Sequence, residues 1–75
     1  MTPLQCRLAR TALGWGVREL AHTAHISTQT VSRFENGEEL RSSTLEKIRG
    51  IFETAGIEFI EANDGKGVGI RLKKP

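Results

Sequence analysis

A chain of 75 residues with 37% hydrophobic content is enough for one small folded domain, but a domain of this size buries little apolar surface and commonly gains core by oligomerising. Its one cysteine, Cys6, excludes an internal disulfide framework and a multi-cysteine metal site, and neither a membrane-length apolar run nor a signal-peptide pattern is present, so a cytoplasmic protein without a membrane partner is expected. The net charge of +2 hides an asymmetry: up to Phe34 there are Arg7, Arg10, Arg18 and Arg33 against Glu19 alone, whereas seven basic and eight acidic residues follow, so an anionic partner is favoured by the first half.

The run Thr2-Pro3-Leu4-Gln5 predicts a helix start. Thr2 can cap, Pro3 suits the first helical position, and Gln5 completes a capping box. Leu4, Leu8, Ala12 and Leu13 recur at helical spacing and read as the apolar side, and Gly14 ends the helix. Trp15-Gly16 is a short connection, with Trp15 expected as a core plug at the corner. Val17, Leu20, Ala21 and Ala24 form one face of a two-turn second helix, which His25-Ile26 interrupts. Ser27 caps a third helix, and Ile26 before that cap is placed to staple against Val31. Gly37 stops the third helix.

Ser43-Thr44-Leu45-Glu46 reads as another capping box. It would open a fourth helix with Leu45, Ile48, Ile51, Phe52 and Ala55 on its apolar face and Gly56 at its close. The period then changes to that of strands at 57–61 and 68–72, with a turn-rich connection at 62–67. A two-stranded hairpin is marginal alone, so it must pack on the helices, pair with another chain, or both. The expected division is a helical domain at 1–56 with a β-hairpin extension and basic tail at 57–75. Lys73 and Lys74 read as a solvated tail.

The third helix is short and mostly polar, and its arrangement is informative. At about 100° per residue, Thr28, Ser32, Asn36, Gln29 and Arg33 share one continuous arc. Val31 and Phe34 lie on the other side. The polar arc carries a guanidinium, two amides and two hydroxyls, and no carboxylate. Arginine pairs bidentately with the guanine edge, and asparagine or glutamine with the adenine edge. Serine and threonine reach a base or a phosphate, and the helix N-terminus favours phosphate oxygens. An ordinary solvated face would look the same on the wheel alone. Two short helices joined by a tight turn, the second of them capped and stapled, are the outline of a helix-turn-helix.

The segment 17–37, VRELAHTAHISTQTVSRFENG, resembles the helix-turn-helix of the Cro/C1 (phage repressor, or XRE) family. The resemblance rests on Glu19-Leu20-Ala21, Ile26-Ser27, Thr30-Val31-Ser32-Arg33 and Glu35-Asn36-Gly37, and with the flanking helices it covers roughly residues 3 to 56. It implies a mostly α fold, a four-helix lambda-repressor-like DNA-binding domain here followed by a C-terminal β-hairpin. It also implies a sequence-specific double-stranded DNA-binding transcriptional regulator, acting as a homodimer on a two-fold operator. By the same resemblance Ser27, Thr28 and Gln29 open the recognition helix and face phosphate and the first bases. Ser32 and Arg33 reach further base edges or backbone, Asn36 meets backbone just past the helix, and Arg10 and Glu35 match a buried ion pair. Two positions depart from the family pattern. Gly16-Val17 stand where the family has Ser or Thr then a backbone-contacting Gln, a loss for which Arg18 is placed to compensate. His25 stands where the inter-helix turn usually has Gly.

Ile57, Phe59, Ile60, Val68, Ile70 and Leu72 are more apolar than a peripheral hairpin needs, so the strands are expected to join two copies in a homodimer. The alternative function is a protein-interaction module, an antitoxin-like or accessory subunit that docks on a protein partner through its hairpin. Single-strand or RNA binding is disfavoured because aromatics are 5% of residues and none lies on the polar face of the third helix. No paired catalytic carboxylates and no phosphate-cradling glycine loop appear, so no enzyme activity and no cofactor are expected. His22 and His25 lack a third ligand nearby and read as surface residues. Cys6 reads as a structural thiol, since no base is placed beside it.

Overall fold

The computed structural model describes residues 1–73; Lys74 of the expected tail lies outside the described residues. In chain order the elements are α1 (Pro3–Leu13), α2 (Val17–Ala24), α3 (Thr28–Glu35), α4 (Ser42–Thr54), β1 (Ile57–Ile60) and β2 (Gly69–Leu72). Four helices and a two-stranded antiparallel hairpin thus make a mostly α fold of the expected class. No helix of the described residues is long and apolar enough to cross a membrane.

The helix ends follow from local chemistry. Thr2 Oγ1 accepts from the Gln5 N–H at 3.1 Å, and Gln5 Oε1 accepts from the Thr2 N–H at 2.9 Å, which closes the capping box of α1. Gly14 takes a left-handed conformation at φ 70°, and the Trp15 N–H donates back to the Arg10 carbonyl at 2.8 Å. At the start of α3, Ser27 Oγ accepts from the Thr30 N–H at 3.1 Å. Gly37 ends the same helix at φ 101°, with the Glu38 N–H donating to the Arg33 carbonyl at 3.0 Å.

One core collects every element except β2 as fully buried members. Cys6 and Ala9 come from α1, Leu20, Ala21 and Ala24 from α2, and Val31 and Phe34 from α3. Ile48 and Phe52 come from α4, and Ile57 and Phe59 from β1. Each large side chain here contributes roughly 1.5–3 kcal/mol by leaving water. Half-buried Trp15 stacks on Phe52 at 5.8 Å between ring centroids, and Phe59 meets Phe52 edge-on at 6.2 Å. The hairpin therefore shares the helical core through its first strand.

The apolar side expected for the first helix is rotated. Leu4 and Leu8 are 53% and 38% exposed, Ala12 is exposed, and Leu13 is half-buried. The face in the core is Gln5, Cys6 and Ala9. Small Cys6 and Ala9 seat the helix closely, and Gln5 can lie inside because backbone groups satisfy its amide. Its Nε2 donates to the Ile60 and Gly69 carbonyls, both at 3.0 Å. The start of the fourth helix is also corrected. Arg41 is its N-cap, with extended backbone and no side-chain cap bond, so Ser43 lies inside the first turn and forms no capping box with Glu46. Leu40, packed half-buried against the core just before it, is where the chain is anchored. The helix ends at Thr54, and Ala55, expected on the apolar face, is exposed.

In the hairpin, Ile57 pairs with Leu72, Glu58 with Arg71, Phe59 with Ile70 and Ile60 with Gly69. Directly paired residues share a face, so the Ile57 and Phe59 side looks into the core. Asp64 at φ 50° and Gly65 at φ 76° make the tight turn, closed by the paired Asn63 and Lys66. β2 lies alongside α1, and β1 alongside α4.

Candidate nucleic-acid interface

The site is built on α3. Its buried side is small: Val31 and Phe34 enter the core, against which Ile26 of the preceding turn also packs. Its other side is open. Thr28, Gln29, Ser32, Arg33 and Asn36 are all exposed. Among the described residues no hydrogen bond engages any of these five side chains. Ser27 is exposed as well, but its hydroxyl already serves the cap and lies 2.8 Å from Thr30 Oγ1. Its reach toward a phosphate would thus come from the helix end it organises.

The α2–α3 turn sets how this face is carried. His25 holds the left-handed conformation at φ 57°, and the Ile26 N–H donates to the Ala21 carbonyl at 3.0 Å. A side chain at that position stores strain that glycine would not. Arg18 and His22 are exposed on α2, and Val17 is half-buried. Gly16 caps α2 without a side chain; its N–H donates to Glu19 Oε2 at 3.1 Å.

At the far end of α3, Glu35 is clamped from α1. Arg10 Nε donates to Glu35 Oε2 and Arg10 Nη2 to Glu35 Oε1, both at 2.7 Å, a bidentate pair. Their side chains are 15% and 5% exposed. Arg10 Nη1 also donates to the Trp15 carbonyl at 3.2 Å, so the pair ties the α1–α2 corner to the end of α3. The Cys6 thiol donates to Glu35 Oε2 at 3.3 Å, and Arg7 Nη2 donates to the Glu35 carbonyl at 3.3 Å. Burial pushes the Glu35 carboxyl up, but the hydrogen bonds from Arg10 and Cys6 and the charges of Arg10 and Arg7 outweigh it and hold it below its usual range. Burial first, then the Glu35 carboxylate, pushes the Cys6 thiol up to about 12. The hydrogen bonds that Arg10 donates to Glu35 raise the Arg10 guanidinium above its usual value.

The hairpin side chains divide in two. Ile57 is fully buried and Phe59 nearly so, and both serve the chain's own core. Val68 and Ile70 are half-buried, Ile60 is 37% exposed and Leu72 is 53% exposed. Cys6 is the structural thiol expected, but its hydrogen bond to Glu35 and the hairpin contacts of Gln5 escape a reading of sequence alone. Gln5 spends one amide on its own cap and on two carbonyls of the hairpin. Only its place in the capping box was visible, because the other partners lie far along the chain.

A protein-family model described as Helix-turn-helix matches residues 7–59, more than half of the chain. No curated protein matches the chain significantly.

Proposed function

Because the chain belongs to the Cro/C1-type helix-turn-helix (XRE) family, a family of DNA-binding regulators, we propose that it reads a specific double-stranded sequence as a homodimer on a two-fold operator. The observation that carries this is the outer face of α3: five exposed polar side chains, free of carboxylates and without hydrogen bonds among the described residues. Arg33 and Gln29 read base edges, Thr28 and Ser32 reach bases or phosphate, and Ser27 and Asn36 hold backbone at the two ends of the helix. Arg18 supplies from α2 the backbone contact that Val17 cannot make. The protein acts by binding rather than by catalysis. Its single thiol, buried and protonated, suits the reducing cytoplasm.

The homodimer is proposed through α1 and the hairpin, the elements that carry the exposed large apolar residues. α1, which carries exposed Leu4 and Leu8, packs against β2, whose Leu72 is open, and Ile60 is open on the opposite face of the hairpin, at the end that Gln5 holds. Ile70 and Val68 complete that surface from β2 and its approach, while Ile57 and Phe59 support it from the core side.

Selection of bound sites from random duplex DNA tests the reading. One recurring half-site in a two-fold arrangement is expected, and no enrichment over the starting pool would refute it. With the selected site in hand, Arg33→Ala should weaken specific binding by roughly 1–3 kcal/mol, and weaken binding to random DNA less. Equal losses on both would remove Arg33 from base reading.

A further inference from the structure

A second open site lies away from α3. Between α2 and α4 runs an open groove of about 520 Å³, lined by Trp15, Thr23, by Lys47, Gly50, Ile51 and Thr54 of α4, and by Ala55 just beyond it. The volume is that of a small-molecule site, but the groove is broad and open to solvent on one side. The α4 members recur at helical spacing and so share one face. Three features give the groove a chemical preference. Trp15 and Phe52 already form a stack, at 26° between planes, and Trp15 stays partly exposed. Lys47 brings a cation, and among the described residues no carboxylate lies within ion-pairing distance of it. Gly50 sits in the middle of α4, where glycine weakens the helix relative to alanine. A Cβ there would meet nothing within 4 Å, so packing within the chain does not require glycine. What glycine provides is depth in the groove.

We propose that this groove binds a small aromatic carboxylate, its ring laid on Trp15, Ile51 and the Gly50 backbone and its carboxylate paired with Lys47. The proposal is independent of DNA binding, and its test contains no DNA. The full chain is titrated with naphthylacetate and, separately, with the neutral naphthylacetamide. The readout is the indole N–H resonance of Trp15, the single tryptophan, together with the backbone amides of α4. The expected result is saturable binding of the acid with a dissociation constant on the order of 0.1 mM and at least about fivefold weaker binding of the amide. Lys47→Gln should bring the acid down to the affinity of the amide. Gly50→Leu, which fills the groove without meeting other atoms of the chain at its Cβ, should abolish saturation by both, while the dispersion of the remaining resonances reports an intact fold. Shifts that never saturate, equal affinity for acid and amide, or an unaltered titration in Gly50→Leu would each overturn the proposal.

Discussion

Glu35 is the residue on which the seating of α3 depends most directly. Its carboxylate takes two hydrogen bonds from Arg10 and one from the Cys6 thiol, at 5% exposure. A buried pair of this kind contributes orientation more than net stability, yet losing one partner leaves the other buried and uncompensated. Arg10→Ala or Glu35→Gln should therefore cost about 3–5 kcal/mol. The pH dependence has a definite sign. Because the folded carboxyl titrates below its unfolded value, its contribution is complete above about pH 4.3 and is lost as pH falls through the lower folded value. Acid titration of unfolding, followed by circular dichroism, should show that limb in the wild type and a flatter one in Glu35→Gln. His25 carries the opposite opportunity. Its φ of 57° strains any side chain, and glycine relieves that strain at some entropic cost. His25→Gly should stabilise the fold by roughly 0.5–1 kcal/mol in chemical denaturation.

Among the elements, the hairpin depends on α1 through one amide. Gln5→Leu removes the side-chain donor to the Ile60 and Gly69 carbonyls and half of the capping box, while leaving an apolar side chain of similar size in the core. A loss of about 1–3 kcal/mol is expected, with hydrogen-exchange protection falling further in β1 and β2 than in α2 and α3. The same amide explains where sequence reasoning stopped. Helix ends were legible because Thr2, Gly14, Ser27 and Gly37 act on neighbours a few residues away. The polar arc of α3 was legible because a cap and a helical period settle it locally. The buried face of α1 was not. Leu4 and Leu8 outrank Gln5 in hydropathy, and only the distant carbonyls of the hairpin make burying the amide acceptable. The start of α4 failed for a related reason: Ser42, Ser43 and Arg41 compete for the cap, and the outcome is set beyond the local sequence.

For the whole molecule, size and surface bear on assembly. One protomer measures 35 × 29 × 19 Å, comparable to the separation of about 34 Å between half-sites one DNA turn apart. The proposed homodimer requires its two α3 helices to lie about that far apart. Leu4, Leu8, Ile60 and Leu72 are exposed in the single chain, apolar area that the proposed second copy would cover in part. The double substitution Leu8→Lys with Leu72→Lys should leave the protomer folded, since both side chains are exposed. Analytical ultracentrifugation should then show a dimer for the wild type at micromolar concentration and a monomer for the variant. A wild type that stays monomeric with and without DNA would refute the assembly.

The partners of Gln5 lie 55 and 64 residues away along the chain. Contacts of such long range cost loop-closure entropy before they contribute stability, whereas helix turns and neighbouring helix pairs need little. Closure of the hairpin onto α1 therefore belongs late in the folding reaction, after the helices that receive it. In the reverse direction it is the first closure to open. Substitutions along β2 should therefore mainly speed unfolding in stopped-flow measurements, and those in the helical core should mainly slow folding.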